Sequence, residues 1–218
     1  VEGIKSYNVT TRTTPVLPVG FGRIEDPRRD QHSDFGGVNL YGNHDMALDF
    51  NVVEKNIILH EGRFTGPGDV DTAVISRELA EQNNLALGDA ITFAPLNDTP
   101  GAGMETATIV GIFETRHPIP STMDGDTFRS ENTIFTDLRF PEKAEGNADD
   151  PCFKYATFQV ADVDDYDAVG EKIRRLDLDW SRYDLLDNNG ASLHIARIFE
   201  ILEHPRNLPL GVLILSAP

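Results

Sequence analysis

Six histidines are the first residues in this chain that could do chemistry: His32, His44, His60, His117, His194 and His204. A protein zinc site takes its ligands from close repeats such as His-x-x-x-His or from paired cysteines. None of the six stands in such a repeat, and Cys152 is the sole cysteine. The spacing predicts no bound metal. Two acidic runs, Asp124-Gly125-Asp126 and Asp162-Val163-Asp164-Asp165, open like calcium loops. Neither continues to the glutamate such a loop needs at its twelfth position, so a turn and a helix cap are the better readings. Nucleophilic or phosphate chemistry would announce itself as Gly-x-Ser-x-Gly, Ser-x-x-Lys or a Gly-x-x-x-x-Gly-Lys cradle, and the chain has none. Ser76 precedes a helix, and capping accounts for it. With 36 acidic residues, carboxylate pairs are inevitable and do not by themselves signal a glycosidase. No catalytic or cofactor-binding residue is predicted.

Bulk composition narrows the class. The 218 residues suffice for one large domain or two small lobes, and 39% apolar with 25% charged residues is a globular balance. A net charge of −17 repels nucleic-acid phosphates, so no nucleic-acid partner is expected. One cysteine excludes an internal disulfide. No run reaches the roughly 18 apolar residues of a spanning helix, and Val1-Glu2-Gly3-Ile4-Lys5 lacks the character of a signal peptide. The C-terminal run Pro209 to Leu215 reads equally as a cut membrane segment or as a last buried strand.

The elements that would position any site follow from periodicity. Ser6 to Thr14 reads as an opening strand, with Tyr7, Val9 and Thr11 alternating with Asn8 and Thr10. Residues 21–49 are rich in Arg, Asp, Gly, His and Asn and are read as irregular chain. Strands are expected at 56–59, 72–75, 90–93 and 106–113, with Ala107, Ile109 and Phe113 on one face of the last and Val110 and Ile112 on the other. A helix of about two turns should run from Arg77 to Gln82, capped by Ser76 and closed at Asn83-Asn84. Gly62 and Gly88 are predicted turn positions. Between 116 and 151 only Asn132 to Phe135 looks extended. Lys154 to Val160, a helix through Tyr166, Val169, Ile173 and Leu176 with Asp164 and Asp165 as candidate caps, and a strand through Tyr183 and Leu185 make a β-α-β unit. Ser192 to Glu203 is expected to be an apolar helix with a polar stripe at His194, Arg197, Glu200 and His204.

The segment from Glu61 to Phe93, with the strand Thr106 to Thr115, resembles the core extracytoplasmic domain of MacB/FtsX-type ABC transporter permeases. The carrying residues are Gly62-Arg63-Phe64, an acidic loop at Asp69 and Asp71, Val74-Ile75-Ser76, the helix Glu78 to Gln82, Leu85 to Gly88-Asp89, and Val110-Gly111-Ile112. The resemblance implies Gly62, Arg63, Phe64, Ser76, Gly88, Asp89 and Gly111 as structural motif positions, not catalytic ones. It implies an α+β fold in two lobes. A membrane-proximal β-α-β lobe would be built from residues 1–60 and 151–207, a mainly-β distal lobe from 61–150, and 208–218 would be an apolar tail. It further implies exposure on the extracytoplasmic side of a cell membrane and no cofactor in this domain, because ATP is bound by a separate ATP-binding subunit or domain. The implied partners are that ATPase, a second permease copy, and a peptide, lipid or lipoprotein substrate. The long polar segment 22–50 departs from the family pattern.

Two other functions fit the residues less fully. One is a free-standing secreted binding or adhesion module, which a full reading frame without flanking membrane helices would reveal. The other is a secreted hydrolase, which would need two facing carboxylates of perturbed pKa in a pocket.

Overall fold

The computed structural model describes residues 1–13, 15–28, 36–96, 103–119, 121, 125–146, 153–181, 183–188 and 192–197. His32, Asp124, Cys152, His204, residues 198–203 of the expected last helix and the 208–218 tail lie outside them. The fold is mixed α/β: a curled sheet with few helices. Its strands are β1 (Ile4–Arg12), β2 (Val16–Val19), β3 (Asn39–Asn43), β4 (Ile57–Gly62), β5 (Thr72–Ser76), β6 (Ala90–Pro95), β7 (Glu105–Thr115), β8 (Thr133–Asp137), β9 (Phe153–Val160), β10 (Tyr183–Asn188) and β11 (Ser192–Arg197). The helices are α1 (Phe50–Val53), α2 (Arg77–Asn83), α3 (Phe140–Glu145) and α4 (Tyr166–Arg174). Strand order is β10-β11-β9-β1-β3-β8-β5-β7-β6-β2, with β4 also on β7. Among the described residues no helix is long and apolar enough to cross a membrane.

The central strands β5 and β8 are buried along their whole length and carry apolar residues on both faces. Ala73, Ile75 and Ile134 face one cluster, closed over by Leu79 and Ala80 of α2 and by Phe140 and Ala144 of α3. Val74 and Phe135 face the other, with Tyr41, Met46, Ile57 and Phe113. A third, smaller cluster lies under α4, where Val169 and Ile173 pack on Val160 with Ile4, Phe158 and Tyr166 around them. At about 25 cal/mol per Å² of apolar surface, burial of this kind is the main favourable contribution to the fold.

Several sequence expectations are corrected. Segment 21–49 is not wholly irregular: β3 is a fully buried strand, parallel to β8, because the β-prone Leu40 and Tyr41 are flanked by paired partners. Helix α3 arises where only loop was expected. Pro141 sits at its start, where a missing N–H costs nothing, and Gly146 closes it with a left-handed turn (φ 75°). Ser192 to Arg197 forms β11, not a helix. The alternation of Leu193 and Ile195 with Ser192 and His194 also fits a strand, and pairing with both β9 and β10 decides between the two periods. Strands β9 and β10 are therefore parallel with β11 between them, a split β-α-β unit. Asp162, rather than Asp164 or Asp165, makes the side-chain cap before α4, accepting from the Asp164 N–H at 3.0 Å.

Candidate functional site: a backbone clasp and a polar seam

Strand β7 carries a bulge at Val110. Ala73 pairs with Ile109 and Val74 with Gly111, so one residue is skipped. The skip shifts the alternation. Ala107, Ile109 and Ile112 share one cluster while Val110 and Phe113 join the other, which corrects the sequence assignment of Ile112 and Phe113.

Turns close on this bulge from both sides. The Arg63 N–H donates to Val110 O (2.9 Å) and the Gly88 N–H to Ile109 O (2.8 Å). Asp89 O accepts from Ile109 N–H (2.9 Å) and Asp71 O from Thr108 N–H (2.8 Å). The approach is too close for side chains. A Cβ on Gly111 would collide with the Arg63 carbonyl oxygen, and one on Gly62 (φ 76°) with the Val110 carbonyl oxygen. Side chains then fix the turns: Arg63 grips Asp69 at 2.6 and 2.9 Å, and the Asp69 and Asp89 carboxylates accept from the N–H of Gly66 and Ala86, each at 2.8 Å. The bond from Arg63 holds the Asp69 carboxyl below its usual range.

Of the motif residues named from sequence, Gly62, Arg63, Gly88, Asp89 and Gly111 thus meet around one bulge. Phe64 packs against the cluster containing Phe113. Ser76 stands apart at the start of α2, where its Oγ accepts from Leu79 N–H (3.0 Å) and donates to Glu131 O (2.7 Å). None of these contacts arranges a nucleophile, a base or an open ligand position. They arrange a chain.

A second assembly had no counterpart in the sequence reading. Strand β1 lies between β9 and β3, antiparallel to both. Its buried face is polar: Asn8 and Thr10 are fully buried, whereas Tyr7 is 45% exposed and stacks on His44 at 4.7 Å. The Asn8 amide donates to Asn43 Oδ1 (2.7 Å), Thr10 Oγ1 donates to the same oxygen (3.1 Å), and Asn8 Oδ1 accepts from Asp45 N–H (2.9 Å). Alongside, the fully buried Asp49 accepts from Asn51 N–H (2.8 Å), from the Asn51 amide (3.1 Å) and from the Tyr155 hydroxyl (2.8 Å). Burial pushes the Asp49 carboxyl up against these donors. It also pushes the Tyr155 phenol well up, aided by the neighbouring carboxylate. The readable signal was the polar set Ser6, Asn8, Thr10, Thr11 and Thr13, which in a strand must find partners once buried.

Elsewhere Arg77, Glu81, Glu114 and Arg116 line an open cleft of about 330 Å³, with His60 Nδ1 at 3.2 Å from Glu114. Arg77 pairs with Glu81 and Glu114, and Arg116 with Glu114. Among the described residues no group of three or more His, Cys, Asp or Glu is placed to hold a metal.

A mixed sheet with a glycine-dependent clasp on β7 defines a domain of mixed α/β class. Residues 11–176 match the family described as MacB-like periplasmic core domain, and the chain belongs to that family of ABC transporter permeases. A search of curated proteins returned no significant match.

Proposed function

We propose that this chain is the extracytoplasmic, non-catalytic domain of an ABC transporter permease, and that it relays ATP-driven conformational change to a substrate outside the membrane. In this reading ATP is bound by a separate subunit or domain and the permease works as a dimer. A split β-α-β lobe lies nearer the membrane and the clasp-bearing body farther away. The seam at β1 carries the proposal. It lies between the apolar clusters of the body and the small cluster under α4. Parting an apolar interface exposes apolar surface at about 25 cal/mol per Å². Parting a seam of amides and hydroxyls exchanges their hydrogen bonds for bonds to water, at a net cost near 1 kcal/mol each. A joint of this kind, which also carries the short backbone ladder of β1 with β3, trades hydrogen bonds for water when it opens instead of exposing apolar surface.

The test is made in the full permease with its ATPase. Spin labels go on Val70 and Arg175, both exposed. The expected result is a change of several ångströms in their separation between ATP-bound and ATP-free states. A disulfide between Thr10→Cys and Asn43→Cys, which face each other across β1 and β3, should abolish it, in a Cys152→Ser background. An unchanged distance on ATP binding would sink the relay.

A further inference from the structure

Two cations converge on one tyrosine where β9, β1 and β3 run side by side. Arg12 lies opposite Tyr41 in register, with its Cζ 5.9 Å from the ring centroid. Lys154 reaches across from β9, its Nζ 4.6 Å from the same centroid and donating to the Tyr41 hydroxyl at 3.3 Å. Tyr41 is buried at 8% exposure and acts as a rigid floor, while both cationic side chains are partly exposed.

We propose that Arg12, Lys154 and Tyr41 form a binding site for one small oxyanion group, a carboxylate or a phosphate. The proposal does not depend on the transport reading. Arg63, Arg77, Arg129, Arg139 and Lys143 each reach a carboxylate. Among the described residues no carboxylate lies within ion-pair distance of Arg12 or Lys154. In a chain of net charge −17, two cations on one ring with no carboxylate in direct contact run against the composition. Like charges gathered on one ring repel, and an anion between them offsets that repulsion. The donors suit an oxyanion. A guanidinium offers a planar fork, an ammonium a point charge, and the Tyr41 hydroxyl, already accepting from Lys154, keeps its proton to donate. Burial alone would raise the Tyr41 phenol, but the charges of Lys154 and Arg12 outweigh it and hold the phenol below its usual value. The nearby Asp49 carboxylate feels the charge of Lys154 but is hydrogen-bonded by Tyr155 and Asn51 rather than by either cation. The overall negative charge selects a small ligand over a polyanionic surface.

NMR titration of the chain with inorganic phosphate, against chloride at equal ionic strength, tests this. Saturable shifts confined to the surroundings of Arg12, Tyr41 and Lys154 are expected. Arg12→Gln and Lys154→Gln should each weaken binding at least tenfold, and Arg12→Lys, which keeps the charge and loses the fork, by less. Lys5→Gln and Arg175→Gln, at exposed cations, should change nothing. Acetate competing at the same residues supports one shared site. Phosphatidylglycerol vesicles that shift these residues would assign the source to a headgroup; vesicles that leave them unmoved while phosphate saturates assign it to a soluble anion. Shifts that never saturate, or Arg12→Gln binding as tightly as the parent, overturn the site.

Discussion

The clasp around β7 and the seam along β1 solve the same problem, holding strands in register, by opposite means. The clasp uses backbone hydrogen bonds and the absence of side chains at Gly62 and Gly111. The seam uses side chains, with Asn8, Thr10 and Asn43 bonding where an apolar core would be expected. Backbone contact at van der Waals limits leaves no second arrangement. Side-chain amides and hydroxyls have alternative partners, including water. The difference separates a part built to stay put from a part that can yield.

Substitutions can break or sharpen this contrast. The largest effect is expected from Gly111→Ala. Its Cβ would meet the Arg63 carbonyl, a backbone atom that cannot swing aside, and denaturant unfolding should show a loss of about 3 kcal/mol or more. Next comes Asp49→Ala, which strands the Tyr155 hydroxyl and the Asn51 amide and should cost about 2–3 kcal/mol.

Asp49→Asn should cost less and change the pH response. Burial raises the folded-state pKa of Asp49 above its unfolded value of 3.8, so folding favours the protonated form. That contribution is complete below about pH 4 and is lost as pH rises through the folded value. The stability of the parent relative to Asp49→Asn should therefore fall as pH rises above about 4; a difference that rises would reverse the assignment.

A smaller effect, about 1–2 kcal/mol, is expected from Asn8→Ala. Hydrogen exchange should then quicken in β1 and β9 while β5 keeps its protection. If both regions quicken equally, the seam is not a separate joint. The smallest effect belongs to Gly88→Ala. A Cβ there meets nothing within 4 Å, so only the strain of φ 89° remains, on the order of 1 kcal/mol.

The two assemblies were unequally legible. Gly62 and Gly88 were legible as turn positions because glycines at turn spacings report local backbone demands, and Ser76 before α2 is a local signal too; the other motif positions were implied by the family resemblance. That they gather on one bulge was not legible, since a bulge depends on the partner strand: Val110 is skipped only because β5 pairs past it. The seam was missed for a related reason. Asn8 and Asn43 are polar residues that a one-dimensional pattern assigns to solvent, and only the pairing of β1 with both β3 and β9 buries them. In Ser192 to Arg197 two periods were compatible with one short apolar run, and distant strands chose.

The placement of β1 also bears on how the chain reaches this fold. Ile4 pairs with Val160 and Val9 with Ala156, so its ladder with β9 closes across most of the chain. Loop-closure entropy delays such contacts. During synthesis β1 emerges well before β9 exists and must wait with an edge unfilled. Exposed edges rich in β-branched apolar residues invite aggregation. Lys5, Ser6, Asn8 and Arg12 make β1 a poor template for foreign strands, so the polarity of the seam strand would also keep the unfinished chain soluble. Pulse-labelled refolding should show amides of β5 and β7 protected before those of β1.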